Sequence, residues 1–327
     1  MSSNNKWKSG FLKTGLPLEY VTSNILNKNG HSVFGEYPYI RPDETKQLKE
    51  FSVDMRTYKC LDSKDKLVIL STLIECKYRQ PGTSWVFSPY PSEIIPIGLV
   101  QSTEDITPIR LENNAIRKFE KKLGYCISGI ELDNMGNGKN DGSKHGIFQL
   151  RFAMPVLLKD TLESNIKHLF SNGHHIDLLC PILVTTAEIR VIKKHLRLED
   201  FTNAEHIDDV TEHREAIILN ETAGPQLEEF SNSLASDFIE NHPTLIDRLS
   251  KLDSVLVGEE WKNRFAPDID TIHRSFKYST ERILVVNYEY LEKILKQLEG
   301  AIKRDIKAGK VYGKIIVNGD EIEICKV

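Results

Sequence analysis

Glu19, Asp54 and the triplet Glu75-Cys76-Lys77 are the residues of this chain whose types and spacing could do chemistry together. Glu19 falls in the short helical segment Gly15-Leu16-Pro17-Leu18-Glu19. Asp54 falls in Phe51-Ser52-Val53-Asp54-Met55, and Glu75 closes the apolar run 67–74. Two strands that each deliver a carboxylate can hold a divalent cation, and a lysine two residues further on can serve the same reaction. Hard cations such as Mg²⁺ take oxygen ligands at about 2.1 Å in octahedral geometry and keep several waters. This is the chemistry of phosphodiester cleavage.

The elements that must position these groups can be argued from the numbering. Residues 51–59 and 67–77 are rich in Val, Ile, Leu, Phe and Tyr and read as strands. The polar stretch Leu61-Asp62-Ser63-Lys64-Asp65-Lys66 between them reads as a turn. With the turn centred between Lys64 and Asp65, antiparallel partners have numbers that sum to 129. Asp54 and Glu75 are then directly opposite, with Cβ atoms about 5 Å apart. Lys77 points to the same face as Glu75, and the Cys76 carbonyl is left as a further oxygen ligand. A register slip of one residue would turn one carboxylate away.

Glu-x-Lys triplets are common in a chain with 28% charged residues, and occur also at Glu44-Thr45-Lys46, Glu120-Lys121-Lys122 and Glu260-Trp261-Lys262. Such triplets are ordinarily solvated pairs. The one at Glu75 differs because it ends a buried-type apolar run, where charges need partners. Pro42-Asp43-Glu44-Thr45-Lys46 spells a nuclease motif in compressed form. Its residues are consecutive in a polar turn, so no hairpin brings its carboxylates together.

Glu19 in the first helix, Asp54 on a strand and Glu75-x-Lys77 on the next make the chain resemble the PD-(D/E)xK nuclease superfamily. The strings Trp85-Val86-Phe87, Pro181-Ile182-Leu183-Val184-Thr185-Thr186-Ala187 and Ile283-Leu284-Val285-Val286-Asn287-Tyr288 extend the similarity to its bacterial nuclease-like members. Val53 stands where that family's motif has a proline, a variable position. The resemblance implies an α/β fold with a restriction-endonuclease-like core: helix, antiparallel meander, second helix, further strand. That core would span residues 1–200, with 201–327 a C-terminal α/β elaboration packed on it as one unit. It also implies a metal-dependent nuclease acting on DNA in bacterial defence or repair. Asp54, Glu75, the Cys76 carbonyl and Glu19 would hold Mg²⁺ or Mn²⁺, and Lys77 would act with them. A partner ATPase or self-assembly are the implied partners. The alternative is a catalytically silent nucleic-acid-binding or assembly subunit that keeps the nuclease fold. The residues leave DNA and RNA undistinguished.

Bulk properties narrow the field. At 327 residues the chain suits one large α/β domain or a core with an elaboration. There is no apolar stretch of membrane-spanning length and no signal-peptide pattern after Met1, so a cytoplasmic, non-membrane protein is expected. The five cysteines are scattered, with no Cys-x-x-Cys, and read as reduced thiols and not a zinc site. A net charge of −4 speaks against strong non-specific DNA affinity. Cations nevertheless cluster at Arg110, Arg117, Lys118, Lys121 and Lys122, and at Arg190, Lys193, Lys194, His195 and Arg197. Either set could flank a phosphate backbone or simply be a solvated face. No Gly-x-Ser-x-Gly elbow supports a serine hydrolase.

Further elements follow from pattern. A helix is expected from Pro17 to Gly30, a strand over 31–40, and helices over 112–123 and 161–170. A strand is expected over 176–191 with Pro181 at an edge or bulge. A buried strand over 282–287 and a helix over 291–307 come next, then a hairpin at Asn318-Gly319-Asp320. Residues 80–84 and 87–91 read as loops, with Trp85 and Tyr90 either stacking on a base or packed in local core. The glycine-rich stretch 133–142 fails as a Walker A or EF-hand loop and reads as a mobile surface loop. His174 and His175 are adjacent and point apart, which suits a loop better than a metal.

Overall fold

The computed structural model describes residues 6–43, 45–61, 67–91, 98–103, 109–110, 113–139, 144–169, 175–243, 269–311, 314–318 and 321–325. The helices are α1 Lys6–Lys13, α2 Leu16–Lys28, α3 Asn114–Leu123, α4 Lys144–Leu169, α5 Leu198–Asn203, α6 Ile207–Val210, α7 Pro225–Asn241, α8 Ile269–Ser279 and α9 Leu291–Ala308. The strands of the first half are β1 Ser32–Phe34, β2 Tyr37–Pro42, β3 Leu48–Val53, β4 Met55–Cys60, β5 Leu67–Lys77, β6 Ser84–Pro89, β7 Gln101–Ser102, β8 Ile109–Arg110, β9 Tyr125–Leu132 and β10 Gly138–Lys139. Those of the second half are β11 His175–Thr185, β12 Glu188–Ile192, β13 Thr211–Arg214, β14 Ala216–Asn220, β15 Arg282–Asn287, β16 Lys310–Val311, β17 Lys314–Asn318 and β18 Glu321–Cys325. None of the helices is long and apolar enough to cross a membrane, among the described residues.

The protein is α/β, built on a mixed sheet in the order β1-β4-β5-β11-β15-β14-β9-β6-β12-β13. Its centre alternates strictly. Leu179 and Leu183 of β11, Ile283 and Val285 of β15, and Ile217 and Leu219 of β14 face one side, against α4, α7 and α8. Cys180, Ile182 and Val184 of β11, Leu284 and Val286 of β15, and Ala216 and Ile218 of β14 face the other, against α2, α3 and α9. Strands buried on both faces read as continuous apolar runs, which is why 67–74 and 282–287 are legible as strands. β14 and β15 lie between β11 and β9, so strands from both halves of the chain share one sheet.

Several expectations are corrected. The strand expected over 51–59 breaks at Asp54: β3 pairs with β2 in a separate hairpin, and β4 pairs with β5. The strand over 31–40 likewise splits into β1 and β2 at Gly35-Glu36. The expected loop over 87–91 is largely β6, in which Trp85 and Phe87 are fully buried and meet edge-on. Pro181 lies in a central strand and not at a sheet edge: it pairs with Leu73 of β5 and falls between the residues of β11 that pair with β7, Leu178 and Leu179, and those that pair with β15, from Ile182 on. The helix expected from 161 begins at Lys144, its apolar residues Ile147, Leu150, Met154 and Leu157 recurring at helical spacing through Pro155. Residues 198–245 are polar in sequence and read as irregular apart from Ala216-Ile217-Ile218-Leu219, yet up to Pro243 they hold α5, α6, β13 and α7 besides β14. The loop from 133 is a closed turn, where Asp133 accepts from the backbone N–H groups of Met135 and Asn137. The turn at 62–66, Glu44, Trp261, Lys262, Gly173, His174, residues 140–142 and Gly319-Asp320 lie outside the described residues.

Candidate active site

Every pair in the β4–β5 ladder, from Met55↔Ile74 to Cys60↔Ile69, sums to 129. The ladder ends at Met55, and side chains take over where the backbone stops. The Cys76 N–H donates to Asp54 Oδ2 at 2.7 Å, and the Asp54 N–H donates to Glu75 Oε2 at 3.3 Å. Each carboxylate thus holds the main chain that carries the other. The bend at Asp54 lets its side chain reach across to β5 while β3 departs into its own hairpin.

Glu75 is fully buried, and Lys77 forms an ion pair with its Oε1. The Lys77 ammonium also donates to Gln149 Oε1 at 3.3 Å, and Gln149 Nε2 donates to the Ser52 carbonyl at 3.0 Å. Gln149 therefore ties α4 to Lys77 and to the strand just before Asp54. Burial and the nearby Asp54 charge push the Glu75 carboxyl up to about 7, against the pull of Lys77. Burial also raises Asp54, opposed by the Cys76 N–H and by Lys77. Glu19, in the first turn of α2, is half-buried; burial first, then Asp54 and Glu36, raise its pKa while Lys77 lowers it. The structure thus brings Glu19, Asp54, Glu75 and Lys77 into one electrostatic cluster.

Cys76 divides its roles. Its thiol lies in the opposite core layer, 3.7 Å from Thr22 Oγ1, and burial raises its pKa, so it offers no thiolate to the site. Because a strand residue's N–H and C=O leave by the same edge, its carbonyl shares the edge whose N–H meets Asp54. Among the described residues no three His, Cys, Asp and Glu side chains form a metal-holding group. A cation here would rest on two carboxylates and a main-chain oxygen. That donor set fits Mg²⁺ or Mn²⁺, which bind through one or two carboxylates and keep waters, and does not fit a closed zinc site. A buried carboxylate and a half-buried one facing one ammonium leave negative charge that a cation would neutralise.

Sequence reasoning missed the contribution of α4. Gly146 sits so close that an added Cβ would lie 2.8 Å from Lys77 Cε, 3.0 Å from Leu183 Cδ1 and 3.2 Å from Glu75 Cγ. His145 beside it has its pKa lowered by burial and by the charges of Lys77 and Arg41. The helical spacing from Ile147 onward was the signal that could have found these residues. Of the expected stacking aromatics, Trp85 is core, its indole N–H donating to Glu131 Oε2 at 3.0 Å. Of the expected phosphate-facing cations, Arg190 is buried and occupied by Glu188 and Asp208. Lys193 is bound to the carbonyls of Asp208 and Asp209. Compared with known proteins, the chain matches no family model, no curated protein and no solved structure.

Proposed function

We propose that the protein is a divalent-metal-dependent nuclease that hydrolyses phosphodiester bonds of DNA, of the PD-(D/E)xK type and with that family's core arrangement. The observation that carries this reading is the interlocked pair of carboxylates, half-buried Asp54 and fully buried Glu75, with Lys77 on the same strand and face as Glu75. Asp54 and Glu75, with the Cys76 carbonyl, would hold Mg²⁺ or Mn²⁺, and Glu19 would support them from α2. When bound, such an ion lowers the pKa of a water and offsets charge on the phosphoryl oxygens.

The chain's own groups do the remaining work. Lys77, held by Gln149, places its ammonium beside the carboxylates, where it can orient the attacking water and stabilise negative charge that grows in the transition state. The backbone of α4 at Gly146 closes one side of the space around the Lys77 stem, since even an added Cβ there would meet Lys77 Cε. A bacterial defence or repair setting, with a partner ATPase or self-assembly, accords with the family resemblance.

The test is cleavage of supercoiled, linear and single-stranded DNA with Mg²⁺ or Mn²⁺. Glu75→Ala, Lys77→Ala and Asp54→Asn are each expected to lower the rate at least about a hundredfold, a typical loss for charge-stabilising groups. Glu50→Ala, on the exposed hairpin, is expected to cleave normally. Wild-type rates in Asp54→Asn and Glu75→Ala would overturn the assignment.

A further inference from the structure

The first two helices present a surface that the carboxylate cluster does not use. Trp7 and Phe11 of α1 are one turn apart, on one helical face, and are 68% and 48% exposed. Gly15, with a φ of 83°, joins α1 to α2. Beyond it Leu16 and Tyr20 repeat the arrangement at 55% and 68% exposure. α2 turns Leu18, Thr22 and Leu26 into the core, so the face with Leu16 and Tyr20 points away from it.

Charge on these helices opposes that of the whole molecule. Residues 6–28 contain Lys6, Lys8, Lys13 and Lys28 against a single acid, Glu19, in a chain whose net charge is −4. Lys8 and Lys13 are exposed. The one acid is the residue coupled to Asp54 and Lys77, and Tyr20 follows it directly. Glu19 Oε1 lies 3.2 Å from where a Cβ on Gly15 would stand, so the carboxylate that borders the cluster sits at the junction of the two helices that carry the exposed rings and lysines.

We propose that the α1–α2 surface is a stacking platform for single-stranded nucleic acid. The rings of Trp7, Phe11 and Tyr20 take unstacked bases, the lysines take phosphates, and the strand is led past Glu19 to Asp54 and Glu75. Every base has a π-face for an aromatic ring, whereas bases within a duplex are already stacked, so single strands or frayed ends are the fitting class. A basic helix with exposed Trp and Phe would also suit an anionic lipid surface. Continuity with the carboxylates favours the polyanion that those carboxylates would act on. The direction of the strand rests on the nuclease reading; the binding itself does not.

The experiment is fluorescence anisotropy of a labelled single-stranded oligodeoxynucleotide with the full chain in EDTA, repeated with a duplex and with phosphatidylserine vesicles. The triple variant Trp7→Ala/Phe11→Ala/Tyr20→Ala is expected to bind the single strand at least about tenfold more weakly. Its thermal unfolding should be unchanged, since the rings are exposed. Lys8→Ala/Lys13→Ala is expected to flatten the slope of log K against log salt by roughly 1.4. Wild-type Trp fluorescence should be quenched by the oligonucleotide, and Trp7→Phe should remove most of that signal while keeping affinity. Wild-type affinity in the triple variant, no single-strand binding by the wild type, or capture by vesicles in place of DNA would each overturn the platform. A protein that binds through these rings yet never cleaves sinks the nuclease reading alone. One that cleaves, with binding indifferent to the rings, sinks the platform alone.

Discussion

Gly146 is the smallest residue near the candidate site and the most constrained by it. Adding a methyl there pushes on Lys77, Leu183 and Glu75 at once. Gly146→Ala gains helix propensity of about 1 kcal/mol but overpacks a filled site, at a cost of about 1–3 kcal/mol. We expect a small net change in stability by chemical denaturation, and a loss of cleavage of at least tenfold from the displaced ammonium. Unchanged cleavage would mean that the position of Lys77 does not matter. Glu75→Gln tests the same spot from the charge side. Without metal it removes a buried like charge, so the melting temperature should hold or rise. Stabilisation by saturating Mn²⁺, about 2.7 kcal/mol at a hundred times the dissociation constant, should largely disappear. The register of β4 on β5, which sets Asp54 next to Glu75 just beyond the end of the ladder, was legible in the sequence because a polar turn and two apolar runs fix it. The roles of Gln149 and Gly146 were not, since they act from a helix whose start follows a glycine-rich stretch and whose middle holds Pro155.

At the scale of elements, the end of α2 is tied to the sheet through α9. His31 Nε2 meets Glu299 Oε1 at 2.9 Å, and the Lys59 ammonium pairs with Glu299 Oε2. The other ring nitrogen of His31 lies 3.1 Å from Thr57 Oγ1, which bonds Thr72 Oγ1 at 2.7 Å. Burial would raise the Glu299 carboxyl, but hydrogen bonds from His31 and Lys59 outweigh it and hold its pKa below the ordinary glutamate value. A depressed carboxylate stabilises the fold above its unfolded value and loses that stabilisation as pH falls through the folded one. Glu299→Gln is therefore expected to cost about 2 kcal/mol at neutral pH, as hydrogen bonds to charged groups do. The gap to wild type should narrow as pH drops below the ordinary glutamate value, read by urea denaturation at several pH values; a pH-independent gap would mean that the carboxylate charge is irrelevant. α2 and α9 were themselves legible, their boundaries marked by Pro17 and by the buried repeat from Leu291 to Ile306. Their tie was not, because it joins residues 268 apart in sequence.

At the scale of the molecule, the main sheet is threaded by both halves of the chain. β15 and β14 stand between β11 and β9, and α9 supplies much of the core layer that also covers β5. A chain ending at residue 200 would take β15 from Ile182–Thr185 of β11 and β14 from Tyr125 and Cys126 of β9, and strip that layer. We expect it to show no cooperative unfolding and no native near-UV circular dichroism; a well-folded fragment would place a domain boundary there. Such long-range strand order is hard to read from sequence, since alternating or continuous apolar runs identify strands but not neighbours. The parallel pairing of β5 with β11, which sets Glu75 beside Leu183, also has a consequence in time. At synthesis rates of 5–20 residues per second, about 5–20 s separate the making of Glu75 from that of its flanking strand. Pairings so distant form late in folding. A growing chain on its ribosome, surrounded by nucleic acid, thus carries Asp54, Glu75 and Lys77 long before it can hold them in place.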